Sequence, residues 1–409
     1  MQIIPDTTSL SAQVKRDMGV YLHIPFCRKK CSYCDFASYE GLEAYYDDYV
    51  EALCKEIELW ARTYEESRHI PVDTIYFGGG TPTMLSIEQI QKILKTLYSY
   101  YDCRNVRELS VEANPGEVDR AYLHELKQLG VTRLSYGVQT FDDHLLTILR
   151  RGHTAAIAKQ AIEDALAVGF NSVSGDLIYA LPGQELQDIR NDVSTLVKLG
   201  VNHVSIYGLQ LEEGTNLHKQ VSTGEYVLPD DDTNEAMYDC MLDSLAENGF
   251  ERYEISNFTN NGAYSRHNLR YWQYKEYLAF GSGAYSFYNN VRRNNEPYVV
   301  PYINRLRQDL LPVVFEETIS EERAVEDYCF LALRTKWGLS SSAFEALFKK
   351  PLTSIYKDEL DHLEQLGLLE SYDEVMSNFD KSAIIKHNAW RLTREGAKHG
   401  NYVFSQFIR

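Results

Sequence analysis

The sequence predicts an α/β protein: an open, partial (β/α)6 barrel, a Tyr-rich β extension and a small C-terminal helical, winged-helix-like domain. Three observations predict it. Between residues 20 and 212, short apolar or β-branched runs alternate with segments of helical period, the pattern of parallel βαβ units. Gly130, Gly169 and Gly200 follow three of those segments, where a helix ends on a left-handed residue. The rhythm then stops, and helical periodicity resumes only after about residue 316.

The expected strands are Val20–Ile24, Thr74–Phe77, Glu108–Glu112, Arg133–Val138, Ser172–Ile178 and His203–Leu209. Helical segments between them cover roughly 43–66, 86–100, 118–129, 154–168 and 184–199. Six units fall two short of a full barrel. Leu228–Phe250 reads as a helix begun by Pro229-Asp230-Asp231-Asp232. Residues 251–302, rich in Tyr, Asn and Gly, read as short strands and loops, an antiparallel extension of the sheet. Helices are expected at 321–335, 341–348 and 353–367, then a hairpin of Leu368–Ser371 and Trp390–Thr393 around a polar loop. The expected organisation is an N-terminal segment 1–19, the partial barrel 20–212, its extension 213–315 and the C-terminal domain 316–409.

Among 409 residues, 59 are acidic and 41 basic, a formal charge of −18. That balance repels phosphate backbones and anionic membranes, so no nucleic-acid partner is expected. Residues 316–409 are themselves acidic, with 16 acidic and 12 basic side chains, which favours packing or partner docking over DNA binding. No stretch approaches the ~18 apolar residues of a membrane span, and the first 20 residues lack the apolar core of a secretory signal. The expected location is the cytoplasm.

Four of the 7 cysteines, Cys54, Cys103, Cys240 and Cys329, are scattered, whereas Cys27, Cys31 and Cys34 form C-x3-C-x2-C just after the first strand. An odd count without an export signal points to reduced thiols. Three thiolates on one loop suit a [4Fe-4S] cluster with one iron left open. Zinc wants a fourth protein ligand, for which His23 is the available candidate. Three buried core cysteines are a poor reading beside Arg28, Lys29 and Lys30.

The pattern Tyr21-Leu22-His23-Ile24-Pro25-Phe26-Cys27, with Tyr33 before the third cysteine, resembles the radical S-adenosylmethionine (SAM) family, in the branch containing oxygen-independent coproporphyrinogen III oxidase. The resemblance covers about residues 18–409. It implies that Cys27, Cys31 and Cys34 bind the cluster, that SAM chelates the open iron, and that Tyr21, Tyr33, Gly79, Gly80, Thr81, Glu112, Gln139, Arg151 and Asp176 form the SAM pocket. The residues agree with it on their own terms. Gly78-Gly79-Gly80-Thr81 lets backbone approach a ligand, and Glu112, Gln139 and Asp176 are polar at or near the ends of apolar strands, where parallel sheets bind ligands. Arg151 offers a charge-assisted contact to a carboxylate, with Arg150 beside it as the competing choice. Tyr33 could pack on the adenine.

The oxidase pattern continues with a fourth cysteine, but Asp35-Phe36 follows Cys34 here, and only about 20 residues precede the first strand, against a longer segment in the oxidase. The run His267-Asn268-Leu269-Arg270-Tyr271-Trp272 contains H-N-x-x-Y-W and resembles the oxidase-like proteins that act as heme chaperones. That resemblance implies heme bound by His267, Asn268, Tyr271 and Trp272, an electron donor, and delivery of heme to an acceptor protein. His267 is the expected axial ligand, with Asn268 orienting its ring and Tyr271 and Trp272 lining the porphyrin. Arg252, Arg266, Arg270, Arg292 and Arg293 flank the motif; some are candidates for heme propionates, and most read as solvated. Lying beyond the sixth strand, the motif should be separable from the cluster loop, and His267→Ala should leave SAM binding intact. The rivals are a coproporphyrinogen III oxidase, which decarboxylates two propionates, and a radical-SAM enzyme acting on another substrate. A homodimer is left open.

Overall fold

In the computed structural model, which describes residues 16–377 and 384–409, β1 (Met18–Ile24) is buried at every position except half-buried Tyr21. That is the signature of a central parallel strand covered on both faces. α1 (Tyr46–Thr63), β2 (Val72–Gly79), α2 (Ile87–Tyr100), β3 (Glu108–Ala113), α3 (Arg120–Gln128) and β4 (Arg133–Gln139) follow. Next come α4 (Asp143–Ile148), α5 (Ala155–Val168), β5 (Ser172–Tyr179), α6 (Leu186–Leu199) and β6 (His203–Gly208). Side chains set the helix starts. Ser86 and Gln89 form a capping box on α2, and Thr154 caps α5. Gly169 and Gly200 end α5 and α6 in the left-handed conformation.

β1 to β6 pair in parallel, in sequence order. Leu22, Ile75, Phe77, Val111 and Leu134 belong to one continuous apolar core under the helices, and a truncation such as Leu22→Ala costs about 2–5 kcal/mol there. On the opposite, inner face, Glu112 of β3 lies within electrostatic reach of the Tyr207 hydroxyl of β6. The six-unit partial barrel expected from the sequence is present.

α7 (Asn216–Ser222) precedes α8 (Asp231–Glu247), whose start is capped by the expected Asp230. The Tyr-rich region departs from expectation. It does not form one antiparallel extension: β7 (Glu251–Arg252) and β8 (Asn257–Thr259) join beyond β6, then α9 (Arg266–Trp272) intervenes, and β9 (Tyr277–Phe280) pairs with β1 in parallel. β10 (Tyr285–Tyr288), β11 (Val291–Asn295), α10 (Val299–Arg307) and β12 (Val313–Thr318) complete a 12-stranded sheet, ordered β12-β11-β10-β9-β1-β2-β3-β4-β5-β6-β8-β7. The expected boundary at 315/316 falls inside β12, which belongs to this sheet.

α11 (Glu321–Leu333), β13 (Leu339–Ser340), α12 (Ser341–Phe348), α13 (Thr353–Gln365), β14 (Leu369–Ser377), β15 (Ile384–Leu392), α14 (Arg394–Lys398) and α15 (Gly400–Ser405) form a second core around Tyr328, Phe344, Leu360, Trp390 and Phe407. Its hairpin is longer than the sequence suggested and joins β13 in a three-stranded sheet. Residues 1–15 of the expected N-terminal segment, and 378–383 of the expected polar loop, lie outside the described residues.

Candidate functional site

The cysteine loop leaves β1 at Ile24 and is closed on itself by Cys27 N–H donating to Tyr39 O (2.9 Å) and Tyr39 N–H donating to Pro25 O (2.7 Å). Ser32, buried in mid-loop, donates from its backbone to Leu149 O and from its hydroxyl to Ile148 O, which pins the loop to α4. The three thiols meet different walls: Cys27 Sγ faces Thr81 Oγ1 (3.7 Å), Cys34 Sγ faces Ser38 Oγ (3.7 Å), and Cys31 Sγ accepts from Arg151 Nη1 (3.0 Å). Burial pushes the Cys27 and Cys34 thiols up.

These residues fit a cubane better than a zinc ion. Among the described residues no three His, Cys, Asp or Glu side chains close around a single ion, whereas a cubane spreads three thiolates over three irons. His23 cannot complete a zinc set as it stands: Nε2 bonds Ala37 O (2.9 Å) and Nδ1 the Tyr21 hydroxyl (3.1 Å). The glycine loop is fitted against the cysteines. A Cβ on Gly80 would meet Phe26 O at 2.7 Å and Cys27 Sγ at 3.0 Å, and Gly79 is held at φ 116°, where a side chain is strained.

Glu112, in the SAM set implied by the resemblance, accepts from the Tyr76 hydroxyl (2.6 Å) and from Gly79 N–H (3.2 Å). Burial, opposed by those hydrogen bonds, pushes its carboxyl up to about 7. Gln139 sits at a bulge that ends β4, with φ 71°; bulges commonly re-aim a side chain beside a site. Arg151 turns inward to Cys31, Asn114 Oδ1 (2.6 Å) and Gly137 O (2.5 Å), while Arg150 is exposed. Asn114 in turn donates to Thr81 Oγ1 (2.8 Å). Cys31, Asn114 and Arg151 line a recess of about 100 Å³, and Cys31, Cys34 and Arg150 line an open cleft of about 590 Å³. Half-buried Tyr33 lies close enough to Arg151 and Cys31 to feel both charges. Asp176 lies elsewhere on the inner face, held by Ser135 (3.0 Å) and Ser174 (2.9 Å), with its carboxyl raised by burial.

The H-N-x-x-Y-W motif is helical, contrary to the expected strands and loops. Ser265 caps α9, and the Glu108 carboxylate accepts from Arg266 N–H (2.9 Å) and His267 N–H (3.0 Å). His267 is 0% exposed. Its Nδ1 bonds Thr74 Oγ1 and its Nε2 the Tyr271 hydroxyl, each at 2.9 Å. One expectation is therefore corrected. Thr74 and Tyr271, not Asn268, orient the imidazole; half-buried Asn268 is tied to Ser265 through its backbone. The motif helix also packs on β1 and β2: the His267 ring stacks on Tyr76 (5.2 Å) and on Tyr21 (6.4 Å), which the resemblance places at SAM. Burial lowers the imidazole to about 3, so it is neutral. Trp272 lies apart from His267's hydrogen-bond partners, under the guanidinium of Arg334. Sequence reasoning missed Tyr76, Thr74, Asn114 and Arg334. Period-2 spacing from Gly78 back along β2 was the available signal for Tyr76 and Thr74.

The chain matches the family model of the Radical SAM superfamily over residues 21–196 and that of the HemN C-terminal domain over 319–375. A protein named heme chaperone HemW from Lactococcus lactis subsp. lactis (strain IL1403) is 34% identical over 395 residues, 97% of this chain and 98% of its own length. One of the same name from Bacillus subtilis (strain 168) is 33% identical, over 95% and 99%. Among solved structures, coproporphyrinogen III oxidase (HemN) from Escherichia coli, titled a radical SAM enzyme, superposes with a TM-score of 0.81 over 97% of this chain and 91% of that one, at 20% identity. That likeness establishes a common fold. Taken with the cysteine loop and the glycine loop packed on it, these matches show that the chain belongs to the radical SAM superfamily, in the family of the proteins named heme chaperone HemW.

Proposed function

We propose that this protein is a heme chaperone: it binds heme alongside a [4Fe-4S] cluster and SAM, and hands the heme to an acceptor protein. The observation that carries this reading is the identity of 33–34% with relatives named heme chaperone HemW across 98–99% of their length. The absence of a cysteine at Asp35 and Phe36 supports it against the oxidase reading. The reading includes an electron donor for the cluster, a cytoplasmic location and room for a homodimer; among the described residues no helix is long and apolar enough to cross a membrane.

Cys27, Cys31 and Cys34 would hold the cluster. Tyr21, Tyr33, Gly79, Gly80, Thr81, Glu112, Gln139, Arg151 and Asp176 would surround SAM. Together the two cofactors supply one-electron chemistry. The chain's own contribution is orientation and charge: Arg151 fixes Cys31 from one side while tied to Asn114 and Gly137, and Glu112 holds a proton at near-neutral pH until a cation reaches it.

For heme, we propose His267 as the iron ligand with Asn268, Tyr271 and Trp272 around the ring. A neutral imidazole is the ligating form, and a metal-bound histidine needs a second partner on its other nitrogen, as Thr74 provides at Nδ1. Iron at Nε2 requires the Tyr271 hydroxyl to move aside. Hemin titration of the full chain tests the reading: a saturable Soret change supports it. Conversion of coproporphyrinogen in the presence of SAM and a reductant would establish the oxidase instead.

A further inference from the structure

Arg334 follows α11 and stands where the C-terminal domain meets the barrel. Its neighbour Thr335 forms an isolated β-bridge with Glu254, and Lys336 N–H donates to Tyr253 O (3.0 Å), so its backbone is fixed on the large sheet. The guanidinium lies 4.4 Å above the Trp272 ring, the last residue of α9. It is partly buried, and among the described residues it makes no ion pair or hydrogen bond; Nε is buried with no acceptor. Desolvation lowers its pKa, and the charges it senses are Glu254 and Tyr207.

The surroundings point to a ligand on the inner face. Tyr207 follows His203 and Ser205 at period-2 spacing on one face of β6, remains 45% exposed, and lies within electrostatic reach of Asp176, Glu254 and Glu112. Trp272 Nε1 is a second buried donor without an acceptor, and Glu254 Oε2 a buried acceptor without a donor. The arginines that the sequence offered for propionates are mostly committed elsewhere. Arg270 is locked to Asp73 and Asp17, Arg292 to Asp327, Arg293 to Glu316 and Arg252 to the Tyr238 hydroxyl, while Arg266 is exposed. Glu254 attracts the guanidinium without hydrogen bonding to it, and leaving desolvated donors without an acceptor is costly. Stacking on an indole leaves its edge free for the fork-shaped contact that carboxylates make.

We infer that Arg334, stacked on Trp272, is the carboxylate-binding group of this site and takes a propionate of the heme. The assignment rests on the heme-chaperone reading and deepens it: the C-terminal domain supplies one contact to the cargo, and the motif helix supplies the surface that orients that contact.

Hemin and hemin dimethyl ester, which lacks free carboxylates, are titrated into the full-length protein and into Arg334→Gln, Arg334→Lys and Trp272→Phe, with thermal melts run in parallel. Arg334→Gln is expected to weaken hemin about tenfold while leaving the ester unchanged, with Arg334→Lys intermediate on hemin alone. Trp272→Phe, which keeps a stacking ring, is expected to act less than Arg334→Gln. Equal hemin affinity in wild type and Arg334→Gln overturns the assignment, and so does an equal loss for both probes, which marks a packing role. If Arg334→Gln does not fold, Arg334→Lys decides by the same comparison. A wild type that binds neither probe removes the heme reading itself, and this assignment with it.

Discussion

The Nε2 of His267 lies 2.9 Å from the Tyr271 hydroxyl one turn along the same helix, while its ring stacks 5.2 Å from Tyr76, whose own hydroxyl donates to Glu112. The motif and the SAM set thus share one packed group. Tyr271→Phe removes the competitor for Nε2 and should tighten hemin binding about two- to tenfold, the worth of one hydrogen bond. His267→Ala should change the Soret band and also weaken SAM binding by a similar factor, because Tyr76 loses its stacking partner. Titrations of both ligands into both variants check this; weaker hemin binding by Tyr271→Phe would instead make the hydroxyl part of the heme site.

Cluster assembly should depend on three thiols only. Anaerobically reconstituted wild type should hold about four irons and four sulfides per chain. Alanine at Cys27, Cys31 or Cys34 should abolish this, and serine at Cys54, Cys103, Cys240 or Cys329 should not. Iron and sulfide assays on each variant measure it.

SAM affinity should rise with pH through neutrality. Glu112 has its carboxyl pushed up to about 7, so it is largely protonated below that pH, and a cationic ligand favours the ionised form. For the apoprotein the sign is the reverse. Between the ordinary carboxyl range and about 7 the folded state holds a proton that the unfolded state has lost, so this group's contribution to stability falls as pH rises across that window. Calorimetric titration from pH 6 to 8 should show tightening for wild type and a flat profile for Glu112→Gln.

Glu56 on α1 is a structural counterpart. Buried at 0% exposure, it accepts from Gly281 N–H (2.8 Å), Asn295 Nδ2 (2.6 Å) and the Tyr302 hydroxyl (2.6 Å), tying α1 to the segment that carries β9 to β11 and to α10. Glu56→Ala strands three buried donors and should cost about 3 kcal/mol, read as a lowered melting temperature with the cluster still assembled.

The strands β1 to β6 were legible because each is an apolar run set off by helical segments and turn residues, and the cysteine loop because three thiols fall in one short span. α9 was not legible. It is seven residues long, and its aromatic and polar residues show no apolar stripe to mark it as a helix. The burial of His267 depends on Thr74, 193 residues away in sequence. The setting of Arg334 appears only once Trp272 and Glu254 are folded near it.

The measurement that tests the central claim most directly runs two assays on one sample: hemin titration of the cluster-reconstituted full chain, and incubation of that chain with coproporphyrinogen, SAM and a reductant. The account predicts saturable binding of hemin, with a Soret band altered by His267→Ala, and coproporphyrinogen recovered intact. Turnover of coproporphyrinogen at a catalytic rate, with no saturable hemin binding, would contradict it.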